Sequence, residues 1–158
     1  MLGKRARSRP AGVGLQGWLM FKLHPAIQRT SAPLATLPLS DARVQLDARF
    51  PWIVLVPRVE GASGVEDLSP EDQARLLTEI LAAGQAVRAI GHAAGVPVER
   101  LNLGVLGNIT PQLHVHIVGR RSDDAAWPGP VWGHGEAEPY AEQALAAALA
   151  AAKEALKF

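Results

Sequence analysis

Two histidines stand one residue apart in the run Pro111-Gln112-Leu113-His114-Val115-His116-Ile117-Val118. Polar and apolar residues alternate through it, the pattern of a strand with one buried face. Gln112, His114 and His116 then project from one face, and Leu113, Val115 and Ile117 from the other. Same-face side chains on a strand stand about 6.6 Å apart, so two imidazoles and an amide line one edge of a cleft. Three uses suit such a pair: metal ligation, a nucleophile with an acid–base partner, or a structural role in which the polar groups satisfy one another. Metal ligation needs further ligands. His24, His92 and His134 share no motif with the pair, and no acid lies on the strand. His134 or Asp123 would have to supply a third ligand, and no spacing calls for either.

The elements that position this strand are legible around it. Trp52-Ile53-Val54-Leu55-Val56 is apolar at every position, as expected of a central strand covered on both faces, with Pro51 before it and Pro57 ending it. Arg43–Leu46 reads as the strand before it, after a loop-rich opening punctuated by Pro25, Pro33 and Pro38. Gly61–Gly64 is a turn. Ser69-Pro70-Glu71-Asp72 announces a helix: a hydroxyl N-cap, proline at the first helical position and acids at the positive end of the dipole. Its apolar residues recur from Leu76 to Ile90, and Gly95 and Pro97 stop it near Ala94. Arg100–Leu106 and Leu113–Gly119 read as two more strands, and Glu138–Lys157, rich in Ala and Leu, as a closing helix.

Composition excludes several classes. The chain has 158 residues, 48% hydrophobic and 20% charged, which suits one globular core rather than a disordered chain. It has no cysteine, so a disulfide framework, a thiolate zinc site, an iron–sulfur cluster and a cysteine nucleophile are all excluded. That fits a reducing compartment, and a cytoplasmic location is expected. A net charge of +1 is no polycation for nucleic acid or anionic lipid, and no run approaches the length of a membrane span. The charge is unevenly spread, however: residues 1–40 hold six basic residues and no acid. For residues 1–19 a targeting peptide and a nucleic-acid-binding arm compete with a disordered extension ahead of the domain, with Met20 as the natural first residue. We take the extension as the expectation.

The flanking sequence narrows the choice. Gly107-Asn108-Ile109-Thr110-Pro111-Gln112-Leu113-His114-Val115-His116-Ile117-Val118-Gly119-Arg120 resembles the signature of the histidine triad (HIT) superfamily of nucleotide hydrolases and transferases. That signature is a Gly-Gln-Ser/Thr loop leading into His-φ-His-φ-His-φ-φ, with φ apolar. Asn108 stands where the family usually has Gln, Ile109 where Ser or Thr is common, and Gln112 at the first triad position. Phe50–Arg58 is similar to the family's apolar strand ending in Pro-Lys/Arg. Asp124–Gly133 is similar to a bacterial branch whose triad also begins with Gln. The resemblance covers about Met20 to Gly133, with the motifs in the family's order.

The resemblance implies an α+β fold: a HIT-like antiparallel meander sheet with one main helix and a C-terminal helix, often as a homodimer joining two sheets. Residues 20–133 would form the catalytic domain and 134–158 a C-terminal helical segment. His114 holds the position of the family's nucleophile, which attacks the α-phosphorus of a nucleotide to give a nucleotidyl-imidazole that water hydrolyses. In the family a main-chain carbonyl holds its other nitrogen. His116 holds the third position, near the phosphate and the leaving oxygen, where an imidazolium would stabilise charge or donate a proton. Gln112 can donate to a phosphate oxygen but cannot titrate. Asn108 resembles the phosphate-contacting amide, and Asp47 falls where the family places a ribose-binding acid. Asn102 would reach ribose or phosphate.

Each of these residues also has a plainer use. Gln112 and Asn108 can cap loop backbone, Asn102 can end a strand, Asp47 can belong to a turn and Trp52 to the core. Trp127 and Trp132 suit either a stacked base or a dimer seam. Arg58, Arg120 and Arg121 suit either phosphate or solvent. The expected function is hydrolysis of a nucleoside phosphoanhydride or phosphoramidate, with a diadenosine polyphosphate as the first substrate expected. The alternatives are a nucleotide-binding regulatory module without turnover and a metal-dependent enzyme. The expected partner is a small-molecule nucleotide, not nucleic acid or membrane. No cofactor is expected, and a divalent metal only as an ion carried on the substrate's phosphates.

Overall fold

In the computed structural model, which describes residues 21–157, the chain runs α1 (Pro25–Thr30), β1 (Ser31–Thr36), β2 (Ser40–Gln45), β3 (Trp52–Pro57), a 3-10 turn (Val65–Asp67), α2 (Pro70–Ala93), β4 (Arg100–Gly104), β5 (Val115–Arg120) and α3 (Glu142–Ala155). The extension read over residues 1–19 lies outside the described residues. The strands form one antiparallel sheet in the order β1-β2-β3-β5-β4, the α+β architecture expected. β1 to β3 form a meander, α2 carries the chain across the sheet, and the β4–β5 hairpin returns so that β5 lies beside β3.

The continuous apolar run of β3 is explained by cover on both faces. Ile53 and Leu55 join Leu113, Val115 and Ile117 in a core closed by Leu76, Ala83, Val87 and Ile90 of α2. On the opposite face Trp52, Val54 and Val56 join Val118 in a second cluster with Ile27, Phe50, Ala126 and Val131. α2 begins as its residues dictate: Ser69 Oγ accepts from the Asp72 N–H at 3.1 Å, with Pro70 in the first turn. Its buried Glu79 accepts from the Leu39 N–H at 2.6 Å, tying the helix to the turn between β1 and β2. α3 presses Ala148 and Ala152 into the α2 core. No helix among the described residues is long and apolar enough to cross a membrane.

β2 runs Ser40–Gln45 rather than Arg43–Leu46, and the elements differ from expectation at four further places. The loop-rich opening holds a helix and a strand. Pro25 occupies the first turn of α1, where its missing N–H costs nothing, and His24 Nδ1 caps the Ala26 N–H at 3.1 Å. Pro33 is tolerated because β1 is an edge strand, with an irregular register between Pro33 and Ala35. β5 starts at Val115 rather than Leu113, whose N–H donates instead to the Ala62 carbonyl at 2.9 Å. β4 stops at Gly104, short of Leu106. α3 starts at Glu142 because Pro139 biases Glu138 out of helical conformation; Glu138 instead accepts from the Ala48 N–H at 2.7 Å.

Candidate active site

β5 and the residues leading into it bring His114 and His116 together, ring centroids 5.0 Å apart and edge-on at 79°. Both are buried, at 9% exposure. His114 Nδ1 lies 2.6 Å from the carbonyl oxygen of Gln112. A carbonyl only accepts, so Nδ1 carries the proton and Nε2 keeps its lone pair. That is the tautomer a nucleophilic imidazole requires.

His116 has the opposite arrangement. The indole Nε1–H of Trp52 donates to His116 Nδ1 at 3.0 Å. Because indole is a donor only, His116 Nδ1 is an acceptor and the ring's proton sits on Nε2. Burial, and after it the neighbouring His114, pushes the His116 pKa down to about 4. The imidazolium expected from the sequence is therefore not the resting form at neutral pH. Trp52 and Trp132 both set ring edges against His116, at 5.4 and 5.8 Å between centroids. Trp132 fits there because it packs on Gly104, the ladder partner of His116, where a Cβ would come within 2.6 Å of its ring. The Trp132 Nε1–H is buried and has no partner among the described residues.

The other residues singled out from sequence are dispersed and largely engaged. The Gln112 amide joins the segment ahead of α1, accepting from the His24 N–H and donating to the Lys22 carbonyl, both at 2.9 Å. Asn102 pairs with Val118 in the ladder, one step from Gly104 on the same face, and its Oδ1 accepts from Arg120 at 2.8 Å. Asn108 stands exposed in the loop between β4 and β5, bonded to none of the described residues. Asp47 lies in the turn between β2 and β3, at the end of the sheet away from His114, and binds Arg49 at 2.8 Å. Burial pushes its carboxyl up, but Arg49 and the N–H groups of Arg49 and Glu138 outweigh this and hold it below the usual range. Among the described residues no three side chains of His, Cys, Asp or Glu converge as a metal site would require. A cavity of about 660 Å³ between α2, α3 and the turn after β2 contains neither histidine.

The HIT domain family model matches residues 28–123, more than half of the chain. The chain belongs to the histidine triad family. A histidine triad protein from Sinorhizobium meliloti 1021 is 40% identical over 88% of this chain and 99% of its own, with a TM-score of 0.80. One from Bradyrhizobium japonicum is 36% identical over 87% and 98%, with a TM-score of 0.81. A third, from Marinobacter aquaeolei VT8, is 36% identical over 87% and 96%, with a TM-score of 0.79. Among curated proteins nothing matches the chain.

Two features of this histidine triad site escaped the sequence reading. Trp52 is in the core as expected, but it also donates a hydrogen bond to His116. Arg120, one of two adjacent arginines at a strand end, is 1% exposed rather than solvated. It binds Asp124 at 2.7 and 3.0 Å and the Gly129 carbonyl at 2.9 Å, and lies over the Phe50 and Trp127 rings. Arg121 pairs with Asp123 and Arg58 with Asp41, at 2.5 and 2.8 Å. The available signal was Asp124 four residues after Arg120, an ion-pair spacing outside any helix.

Proposed function

We propose that this histidine triad protein is a nucleotide hydrolase that cleaves at the α-phosphorus of a nucleoside phosphoanhydride or phosphoramidate, with a diadenosine polyphosphate as the leading candidate. The observation that carries the reading is the 2.6 Å contact between His114 Nδ1 and the Gln112 carbonyl, which leaves Nε2 as a free lone pair beside His116. Nε2 attacks phosphorus, the leaving group departs, and water hydrolyses the nucleotidyl-histidine. Asn108, in its exposed loop, is the amide proposed to meet phosphate, and Asn102 is proposed to meet the nucleoside, whereas Asp47, 2% exposed and bound to Arg49 at the far end of the sheet, is read as a turn residue. Gln112 at the first triad position supports placement in the Gln-led bacterial branch. We read the site as lacking a resident metal, any divalent ion arriving on the substrate's phosphates, and the protein as cytoplasmic.

The test is intact-protein mass spectrometry after a brief quench that avoids acid, across a panel of adenylylated substrates. Wild type should gain one nucleoside monophosphate transiently, and His114→Ala should not. Nucleotide binding with neither adduct nor product would favour the second reading, a regulatory binding module. The tied-down Gln112 amide is the observation on that side.

A homodimer joined along β4 is part of the same reading. β4 is an edge strand with an unpaired side, and Leu103, Val105 and Leu106 on or just after it are exposed. Leu77 and Leu81 of α2 add to that patch at 58% and 66% exposure. They share a helix face with Gly84, which packs on Leu101 of β4. Sedimentation of wild type and Leu81→Glu should show a dimer reduced to monomer; a monomeric wild type would refute it.

A further inference from the structure

The two bonds that the proposed hydrolase could cut make different demands. A phosphate departs as an oxyanion that water tolerates without a proton. An amine departs from phosphorus only after its nitrogen has received one, because the bare amide anion is far too basic. Cleavage of a phosphoramidate therefore needs an acid beside the leaving atom.

The positions that would supply this acid are closed here. Gln112 has no ionisable proton, and its amide is held by Lys22 and His24. The His114 proton sits on Nδ1, engaged with the Gln112 carbonyl and on the opposite side of the ring from the attacking nitrogen. His116 meets the Trp52 N–H at Nδ1, and Trp52 cannot easily turn away: it is 6% exposed and bounded by the rings of Phe50 and Trp132. A proton added to His116 would point at the indole proton. The ring's other contacts, His114 and Trp132, bring no carboxylate to stabilise a cation, and a second proton on this closely paired imidazole would oppose one on His114.

Resting on the hydrolase reading above, we propose that Trp52 is a positioning residue that fixes His116 as a neutral Nε2–H donor and so restricts the enzyme to leaving groups that depart as anions, namely nucleoside phosphoanhydrides rather than phosphoramidates. In the first step His114 Nε2 forms the P–N bond. The bond from phosphorus to the bridging oxygen breaks, and its electron pair stays on that oxygen, which accepts a hydrogen bond from His116 without taking the proton. In the second step water attacks phosphorus, the P–N electron pair returns to Nε2, and the water's proton passes to solvent. Loss of the His116 Nε2 proton to an amine would leave an imidazolate. Neutral His116 thus stabilises one leaving group and cannot serve the other.

The experiment has two arms. Wild type and Trp52→Phe are assayed with a diadenosine polyphosphate and with adenosine 5′-phosphoramidate, and both are labelled with ¹⁵N-histidine for NMR titration. Wild type should favour the polyphosphate by at least about 100-fold in kcat/KM, the low end of what a positioned acid contributes. Its His116 should show an unprotonated Nδ1 at neutral pH. Trp52→Phe should free Nδ1 to take a proton, raising the His116 titration from about 4 although its burial persists, and narrow the preference at least about tenfold. Equal cleavage of both substrates by wild type overturns the inference alone, and so does a protonated Nδ1 at neutral pH. Cleavage of neither overturns the hydrolase reading and the inference with it. The wild-type arms need no variant to fold.

Discussion

Gln112 holds His114 through its backbone and not through its side chain. Its carbonyl oxygen accepts from His114 Nδ1 at 2.6 Å, while its amide spans the backbone of Lys22 and His24. Gln112 therefore performs two tasks, and neither needs a titrating group. Orienting His114 depends only on where the main chain runs, so a glutamine there is compatible with the attack proposed for His114.

Replacing Gln112 by alanine should accordingly affect the segment ahead of α1 more than the nucleophile. Two hydrogen bonds are lost, for a stability loss of about 1–2 kcal/mol in part-exposed surroundings. Amide exchange at His24 should accelerate, and a nucleotide adduct on His114 should still form. Denaturant unfolding, hydrogen exchange and mass spectrometry read the three effects. Unchanged exchange at His24 would mean that Gln112 is not what holds the segment.

The depressed pKa of His116 makes stability depend on pH. The unfolded chain takes up this proton near 6.5 and the folded protein only near 4. Between those values the unfolded state binds more protons, so stability rises with pH through the window. The contribution is complete above about pH 6.5 and is lost progressively as pH falls to about 4, amounting to about 3 kcal/mol. Urea unfolding at a series of pH values should show this slope in wild type and a much weaker one in His116→Asn. Equal slopes would place the titration elsewhere.

Gly104 is where backbone and site are most tightly matched. It is the ladder partner of His116, and a Cβ there would lie 2.6 Å from the Trp132 ring. Gly104→Ala should push Trp132 off the edge of His116 at a cost of about 1–3 kcal/mol, the usual range for overpacking. Turnover should fall together with a change in tryptophan fluorescence. A variant with wild-type fluorescence and stability would show that the ring has room to give.

Much of this was legible in sequence because it rests on local signals. The apolar run of β3 declared cover on both faces, Ser69-Pro70-Glu71-Asp72 declared the start of α2, and alternation set His114 and His116 on one face. α1 and β1 stayed hidden because Pro25 and Pro33 mark loops as readily as a helix start and an edge strand. The Trp52–His116 hydrogen bond depends on register between distant strands. Val54 faces His116 and Trp52 faces Val118, so Trp52 reaches His116 on the diagonal. Alternation gives the face of a side chain, not the atom it meets across the sheet. Arg120 was unreadable for a related reason, since the loop that buries it, 124–129, closes over it only in three dimensions.

Arg120 supplies the largest expected loss of stability. It is 1% exposed and its guanidinium is shared among Asp124, Asn102 and the Gly129 carbonyl, which ties β5, β4 and the loop leading to Trp132 together. Replacing it with methionine leaves the Asp124 carboxylate buried without its cation. Burial already pushes that carboxyl up, and only Arg120 and the N–H groups of Arg121 and Ala126 hold it below the usual range. Breaking a buried ion pair from one side costs about 3–5 kcal/mol. Lysine should recover little of this, because one ammonium cannot reproduce a fork that serves three acceptors. The double variant Arg120→Met with Asp124→Leu removes both charges, so it should lose less than the sum of the two single variants. A double-mutant cycle by chemical denaturation measures the coupling. Strictly additive losses would mean that the guanidinium is held by Asn102, Gly129 and the rings of Phe50 and Trp127, and not by its charge partner.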